Sequence, residues 1–357
     1  MLVRCTRCLM PTSRPDTAFV DGICTACIHY DAQQKVDWKR RKNDLTKLFD
    51  RQKPNETGYD CIVASSGGKD SHAQVLSLLE LGVKPLLVTA TTCMLTELGR
   101  YNIENLCQYA KTLQITYDEK VRATLNYLGL TLVGDVSWPE HVSIFTAPVL
   151  VAIKYEIPLI FYGENPQAQY GGPAGAEKAR QMTRRWVNEF GGFLGLRPMD
   201  LVGQLGLTEH DMQAYEFPAT GRVKRAKCEA HFLGQYLGPW DSRKNADIAI
   251  AAGMKFELPA KCNWWEFENL DNGMTGLHDW MMYKKYGYGR ACAQLSVDIR
   301  FGRITRDEAI TILLEREGIF PSVYAGVPFT DVLDRLHMTM DEMQEVIDKF
   351  TTTDEVE

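Results

Sequence analysis

Six residues, Ser66-Gly67-Gly68-Lys69-Asp70-Ser71, set two glycines, a cation and an anion between an apolar run, Cys61-Ile62-Val63-Ala64, and a stretch with Val75, Leu78 and Leu79 at helical spacing. The pattern predicts a strand, a glycine turn and a helix start. Paired glycines let the backbone come close to an anion, and a helix N-terminus offers unpaired N–H groups at the positive end of its dipole. Lys69 adds a full positive charge. A G-x-x-x-x-G-K-[ST] phosphate loop is excluded, because this lysine is followed by Asp70 and the loop is too short. The bland competitor is a glycine turn capped by Asp70 or Ser71 that holds no ligand.

A second group with chemical potential opens the chain. Cys5-x-x-Cys8 and Cys24-x-x-Cys27 are separated by a loop containing Pro11, Pro15 and Gly22. Two such pairs bring four thiolates to one tetrahedral ion, closing its coordination shell, so the expected role is structural and the expected occupant Zn2+. An iron–sulfur cluster is the alternative, since four cysteines serve both. A segment of about thirty residues with few large apolar side chains cannot hold itself together by burial, which makes metal binding part of its folding free energy. Of the remaining cysteines, Cys61, Cys93 and Cys107 read as packing residues. Cys228, Cys262 and Cys292 sit in no nucleophile-elbow context.

The elements that must position the glycine turn follow in order. Gly82 ends the first helix, Pro85 to Ala90 reads as a strand, and Ile103, Leu106, Ala110 and Leu113 recur at helical spacing. Ile115-Thr116-Tyr117 is expected as a short strand, Pro148 to Tyr155 as a helix, and Ile157 to Tyr162 as a buried strand. Such alternation indicates an α/β fold with a parallel sheet and right-handed crossovers. Open sheets of this kind bind ligands beyond the carboxyl ends of their strands. The rule brings three stretches together: the glycine turn, Thr89 to Thr92, and Gly163-Glu164-Asn165. Lys69 and the loop amides then hold phosphates, Asp70 binds Mg2+ or orients the loop, and Thr89 and Ala90 lie near a nucleoside. Glu164 is the acidic candidate for touching substrate or metal, against a solvated strand-end glutamate.

Length and composition bound these readings. With 357 residues, 45% of them hydrophobic, the chain can bury a large core and is expected to form two or three domains. No signal-like leader and no run of about 20 apolar residues is present, so a cytoplasmic location without membrane insertion is expected. The formal net charge of −6 argues against general attraction to nucleic acid. The expected division is a zinc module over 1–30, a basic amphipathic linker helix over 31–57 ended by Pro54, a nucleotide domain over 58–165 whose core can extend further, and a mainly helical substrate region over 166–357. In that last region Thr305-x-x-Glu308 and Thr339-x-x-Glu342 fit capping boxes. Two patches there are candidate substrate contacts. Asn263 to Glu268 is dense in aromatics, with core filling as the favoured role. Tyr286-Gly287-Tyr288-Gly289-Arg290 sets a guanidinium behind alternating glycines, where it can grip a phosphate or carboxylate.

Ser66 to Ser71 meets the S-G-G-x-D-S pattern of the PP-loop ATP pyrophosphatases in full. That resemblance implies a doubly wound, HUP-like parallel sheet and cleavage of ATP between its α- and β-phosphates. Further stretches resemble the N-acetyl sugar amidotransferases of bacterial surface-polysaccharide synthesis: Cys5 to Pro11 with Arg14-Pro15, Gly22 to Cys27, Gly163 to Pro166, Pro239 to Ser242, Gly287 to Ala291 and Asp298 to Thr305. Ala291-Cys292-Ala293-Gln294 departs from it, lacking the Thr-Asp pair expected after the alanine.

The resemblance implies an enzyme that adenylates the acetamido group of a nucleotide-linked sugar and replaces AMP with ammonia. It assigns catalysis to Lys69, Asp70 and Glu164, ATP binding to Ser66 through Ser71 with Thr89 and Ala90, and substrate contacts to Asn165, Tyr288 and Arg290. ATP and Mg2+ are the implied cofactors, and a separate glutaminase subunit the implied partner. The rivals are a PP-loop tRNA thiolase, disfavoured by the acidic chain and by the lack of C-x-x-C outside the first thirty residues, and a non-catalytic zinc- and nucleotide-binding scaffold.

Overall fold

The computed structural model describes residues 2–52 and 56–352; the expected helix stop at Pro54 lies outside them. A small antiparallel ribbon, β1 (Phe19–Val20) and β2 (Ile23–Cys24), opens the fold. It turns through Asp21 and Gly22, both with positive φ. A helix α1 (Thr25–Gln33) runs from the cysteine segment into the basic stretch, and the expected linker helix is α2 (Trp38–Asp50), started by Asp37, which accepts from the Arg40 N–H. Far from being a free linker, α2 buries Leu45 and Leu48 with Cys61, Val63 and Phe161 of the main sheet.

That sheet has five parallel strands in the order β5-β4-β3-β6-β7. They are β3 (Cys61–Ala64), β4 (Pro85–Ala90), β5 (Thr112–Ile115), β6 (Leu159–Tyr162) and β7 (Glu229–Phe232). Alternation along the strands sends Ile62 and Ile160 to one face, under α5 (Glu119–Val133) and α6 (Trp138–Tyr155). Val63 and Phe161 go to the other, under α2 and α3 (Lys69–Glu80). Helices thus cover both faces, as parallel strands require.

Several elements differ from expectation for physical reasons. β5 starts at Thr112, ahead of the expected Ile115. α6 starts ten residues before Pro148, which sits inside it and only mimics a helix start. β7 went unseen because Glu-Ala-His-Phe is short and half polar; its buried His231 is satisfied by Tyr236 and Glu229. The sheet therefore extends past residue 165. Gly82, with φ +77°, follows α3 as expected, and both capping boxes form, at helices Arg306–Arg316 and Met340–Phe350.

The first thirty residues share a core with the last quarter of the chain. Cys5, Cys8, Leu9, Met10, Cys24 and Cys27 pack with Tyr288, Ala291, Cys292 and Leu295 and with Ala309 and Leu313. Among the described residues no single helix is long and apolar enough to cross a membrane.

Candidate functional site

The strand order reverses direction at β3, which has β4 on one side and β6 on the other. The turns leaving the carboxyl ends of β3 and β6 flank the crevice at this switch point, the place where open parallel sheets bind ligands. The glycine turn and Glu164 occupy it. Both line a cleft of about 1280 Å³, part of it open to solvent, whose far wall is built from residues 267–278 and Arg290.

The turn is shaped for close approach. Gly67 has φ +84°, and a Cβ there would lie 2.7 Å from Ile103 Cγ1 and 2.8 Å from Ile103 N, so only glycine fits. The Ser66 N–H donates to Ser71 Oγ at 3.0 Å, closing the loop. Gly68 is the N-cap of α3 and brings no side chain to its first amides, leaving them without an internal cap.

Lys69 is buried, its Nζ donating to Asp70 Oδ2 at 2.8 Å and to Glu268 Oε1 at 2.9 Å. Burial alone would lower its pKa, but the two carboxylates outweigh it and hold the ammonium charged well above its usual range. Each carboxylate is anchored in turn. Asn245 donates to Asp70 Oδ1 at 2.8 Å, and Gln294 donates to Glu268 Oε2 at 2.8 Å. Gln294 Oε1 accepts the backbone N–H groups of Trp264 and Trp265, so the Ala-Cys-Ala-Gln departure carries a positioning residue. Glu164 is half-buried; burial and the repulsion of Asp70 push its carboxyl up to about 7, with Lys69 opposing. Arg290 forms a two-pronged ion pair with Asp279, at 3.1 and 2.6 Å, on the cleft wall.

Of the expected site residues, Ser66, Gly67, Gly68, Lys69, Asp70, Glu164 and Arg290 line this one cleft. Ser71 supports the loop from beneath, and Thr89 is buried with no hydrogen-bond partner for Oγ1 among the described residues. Ala90 packs against the sheet core, and Thr92 lines the cleft in their place. Asn165 caps the helix Pro166–Tyr170 and lines a second cavity, near α1. Tyr288 is buried beside the cysteine cluster, where Arg14 donates to its hydroxyl.

Sequence reasoning missed Glu268, Asn245, Asp135, His141 and His278. Glu268 lay inside the aromatic patch read as core, and Trp265 and Phe267 do fill it. An acidic residue beside three aromatics was the available signal. Asp241, in the Pro239 to Ser242 stretch, caps the helix Ser242–Ala251 that carries Asn245.

The four cysteines converge as their spacing implied. Their sulfurs lie within 4.8 Å of one another and all four residues are buried. The Cys24 and Cys8 N–H groups point at Cys5 Sγ, and Arg300 approaches Cys8 Sγ at 3.7 Å. Hydrogen bonds from Cys24 and Cys27, with Arg300 adding, pull the Cys8 thiol down to about 6. Four buried sulfurs this close together are the donor set of a structural metal, and the cluster can bind one such as zinc. The expectation of packing cysteines holds for buried Cys61 and not for Cys107, which is exposed.

No curated protein matches this chain. Residues 255–356, which carry Glu268, His278, Arg290 and Gln294, match the family model described as LPS biosynthesis protein WbpG-like, C-terminal domain, and that likeness supports a role for the chain in lipopolysaccharide or related surface-polysaccharide biosynthesis.

Proposed function

We propose that the protein is an ATP-dependent, AMP-forming amidotransferase that converts the acetamido group of a nucleotide-linked sugar into an acetamidino group. The observation that carries the reading is the charged, buried Lys69, held beside an uncapped helix start at the switch point of the sheet. The lipopolysaccharide likeness of residues 255–356 supports a sugar as the second substrate.

An amide is a poor electrophile, and adenylation of its oxygen supplies a leaving group. The amide oxygen attacks the α-phosphorus, pyrophosphate departs, and ammonia then displaces AMP. Lys69 and the first amides of α3 offset charge on the phosphates, so catalysis is chiefly positioning and electrostatic stabilisation. Asp70 and Glu164 present hard oxygen donors that repel each other in the cleft, a set suited to Mg2+, which would neutralise phosphate charge when bound. Burial raises the thiols of Cys93, Cys228, Cys262 and Cys292, leaving each a poor nucleophile for glutamine hydrolysis. Ammonia is accordingly assigned to a separate glutaminase subunit.

The test incubates the protein with ATP, Mg2+, ammonium and a panel of UDP- and CMP-linked N-acetyl sugars. The expected result is sugar-dependent AMP and a product in which NH replaces oxygen. AMP formation stimulated by tRNA and by no sugar would overturn the reading in favour of a thiolase.

A further inference from the structure

Across the cleft from the glycine turn, Asp135 sits buried between α5 and α6 and binds two imidazoles at once. Its Oδ2 lies 3.0 Å from His141 Nδ1 and its Oδ1 2.8 Å from His278 Nδ1, and Oδ1 also accepts the Ser137 N–H at 2.9 Å. Both histidines line the cleft that holds Ser66 to Asp70. The rings meet edge to face, 5.2 Å apart. With Nδ1 committed to Asp135, Nε2 is the nitrogen that each ring offers a ligand. His278 Nε2 lies 3.9 Å from Asp279 Oδ1, beyond hydrogen-bond range.

A buried carboxylate that fixes the tautomer of an imidazole is the arrangement that makes histidine a directed proton acceptor. Here one carboxylate does so for two. We propose that His141 and His278, oriented by Asp135, are the base that removes a proton from the nitrogen nucleophile as it displaces AMP. The proposal rests on the adenylation reading of the cleft. In the step, the nitrogen lone pair forms the new carbon–nitrogen bond and one N–H proton passes to an imidazole Nε2. The carbon–oxygen bond to AMP breaks with its electron pair going to the phosphate oxygen, and the imidazolium returns its proton to solvent. Asp135 is a positioning residue. The charged groups around the pair are Glu140 and Arg122 from α6 and α5, Asp279 and Lys285 from helix Thr275–Tyr286, and Arg290, with Tyr286 nearby. Burial lowers the affinity of His141 for its proton, but Asp135 more than restores it.

The test compares two rates in His141→Gln, His278→Gln and the smaller change His278→Asn: ATP–pyrophosphate exchange in the presence of the nucleotide-sugar panel, and product formation with ammonium or hydroxylamine. Hydroxylamine and ammonium titrate at different pH, so a midpoint common to both profiles belongs to the enzyme. Product formation is expected to fall about 100-fold further than exchange. Asp135→Asn is expected to shift the pH midpoint of product formation and not that of exchange. Parallel loss of both rates, unimpaired product formation in the histidine variants, or a second bound metal lost with them would overturn the proposal. If wild-type protein gives no exchange, the adenylation reading itself falls and this step with it; intact exchange with unaffected variants sinks the base alone.

Discussion

The four-cysteine cluster and the glycine-turn cleft are both announced by short motifs, yet they are built in opposite ways. The cluster is closed: its four sulfurs come from 23 consecutive residues, all buried, with backbone amides and Arg300 around them. The cleft is open, and its working groups come from residues 66–70, 164, 268 and 290. A site whose whole ligand set is local can be read in full from spacing, and it stores stability. A site assembled across the chain shows only its glycine-turn edge in sequence, and what it stores is positioned charge.

The largest predicted effect breaks the closed site. Cys8→Ser is expected to abolish stoichiometric metal and to destabilise the protein by roughly 5 kcal/mol or more, since structural zinc contributes about 10–16 kcal/mol. Elemental analysis and thermal melting check this, and a variant retaining metal and melting point contradicts the comparison. Lys69→Ala tests the open site. Product formation should fall at least about 100-fold with metal content intact. Stability should drop by roughly 3 kcal/mol, because Glu268 is left buried and unpaired. The double change Lys69→Met with Glu268→Gln should then recover most of the stability and none of the activity.

Gly67→Ala forces a side chain into contact with Ile103 at positive φ and is expected to cost about 1–3 kcal/mol and to weaken nucleotide binding. Titration calorimetry and melting curves read both. The smallest effect is pH-linked. Glu164 in the folded protein titrates near 7, against 4.5 ordinarily, so between these values the native state holds a proton that the unfolded chain has lost. Stability therefore falls as pH rises through that window. Glu164→Gln should melt above wild type at pH 8, by roughly 1 kcal/mol, and level with it at pH 4.

The parallel sheet, the glycine turn, both capping boxes and the cysteine ligands were legible because each is written in neighbouring residues at fixed periods. What stayed hidden depends on tertiary contact. Glu268 reaches Lys69 across 199 residues, and Asp135 reaches His278 across 143. Neither pairing has a local period to betray it. Tyr288, given as a substrate contact by the resemblance, lies buried against the cysteine cluster and is not among the residues lining the cleft. β7 was missed because its burial comes from pairing with β6 and from the chain that follows it, where Tyr236 meets the ring of His231.

The shared core between the first thirty residues and helices Arg290–Arg300 and Arg306–Arg316 has a consequence for biosynthesis. The cysteine segment cannot bury its thiols against their final neighbours until residues 288–313 have emerged from the ribosome. At roughly 5–20 residues per second, that wait is on the order of 15–60 s. Early capture of an ion by the nascent knuckles would shield those sulfurs from oxidation through the interval, so the supply of metal during translation bears directly on how much correctly closed protein a cell obtains.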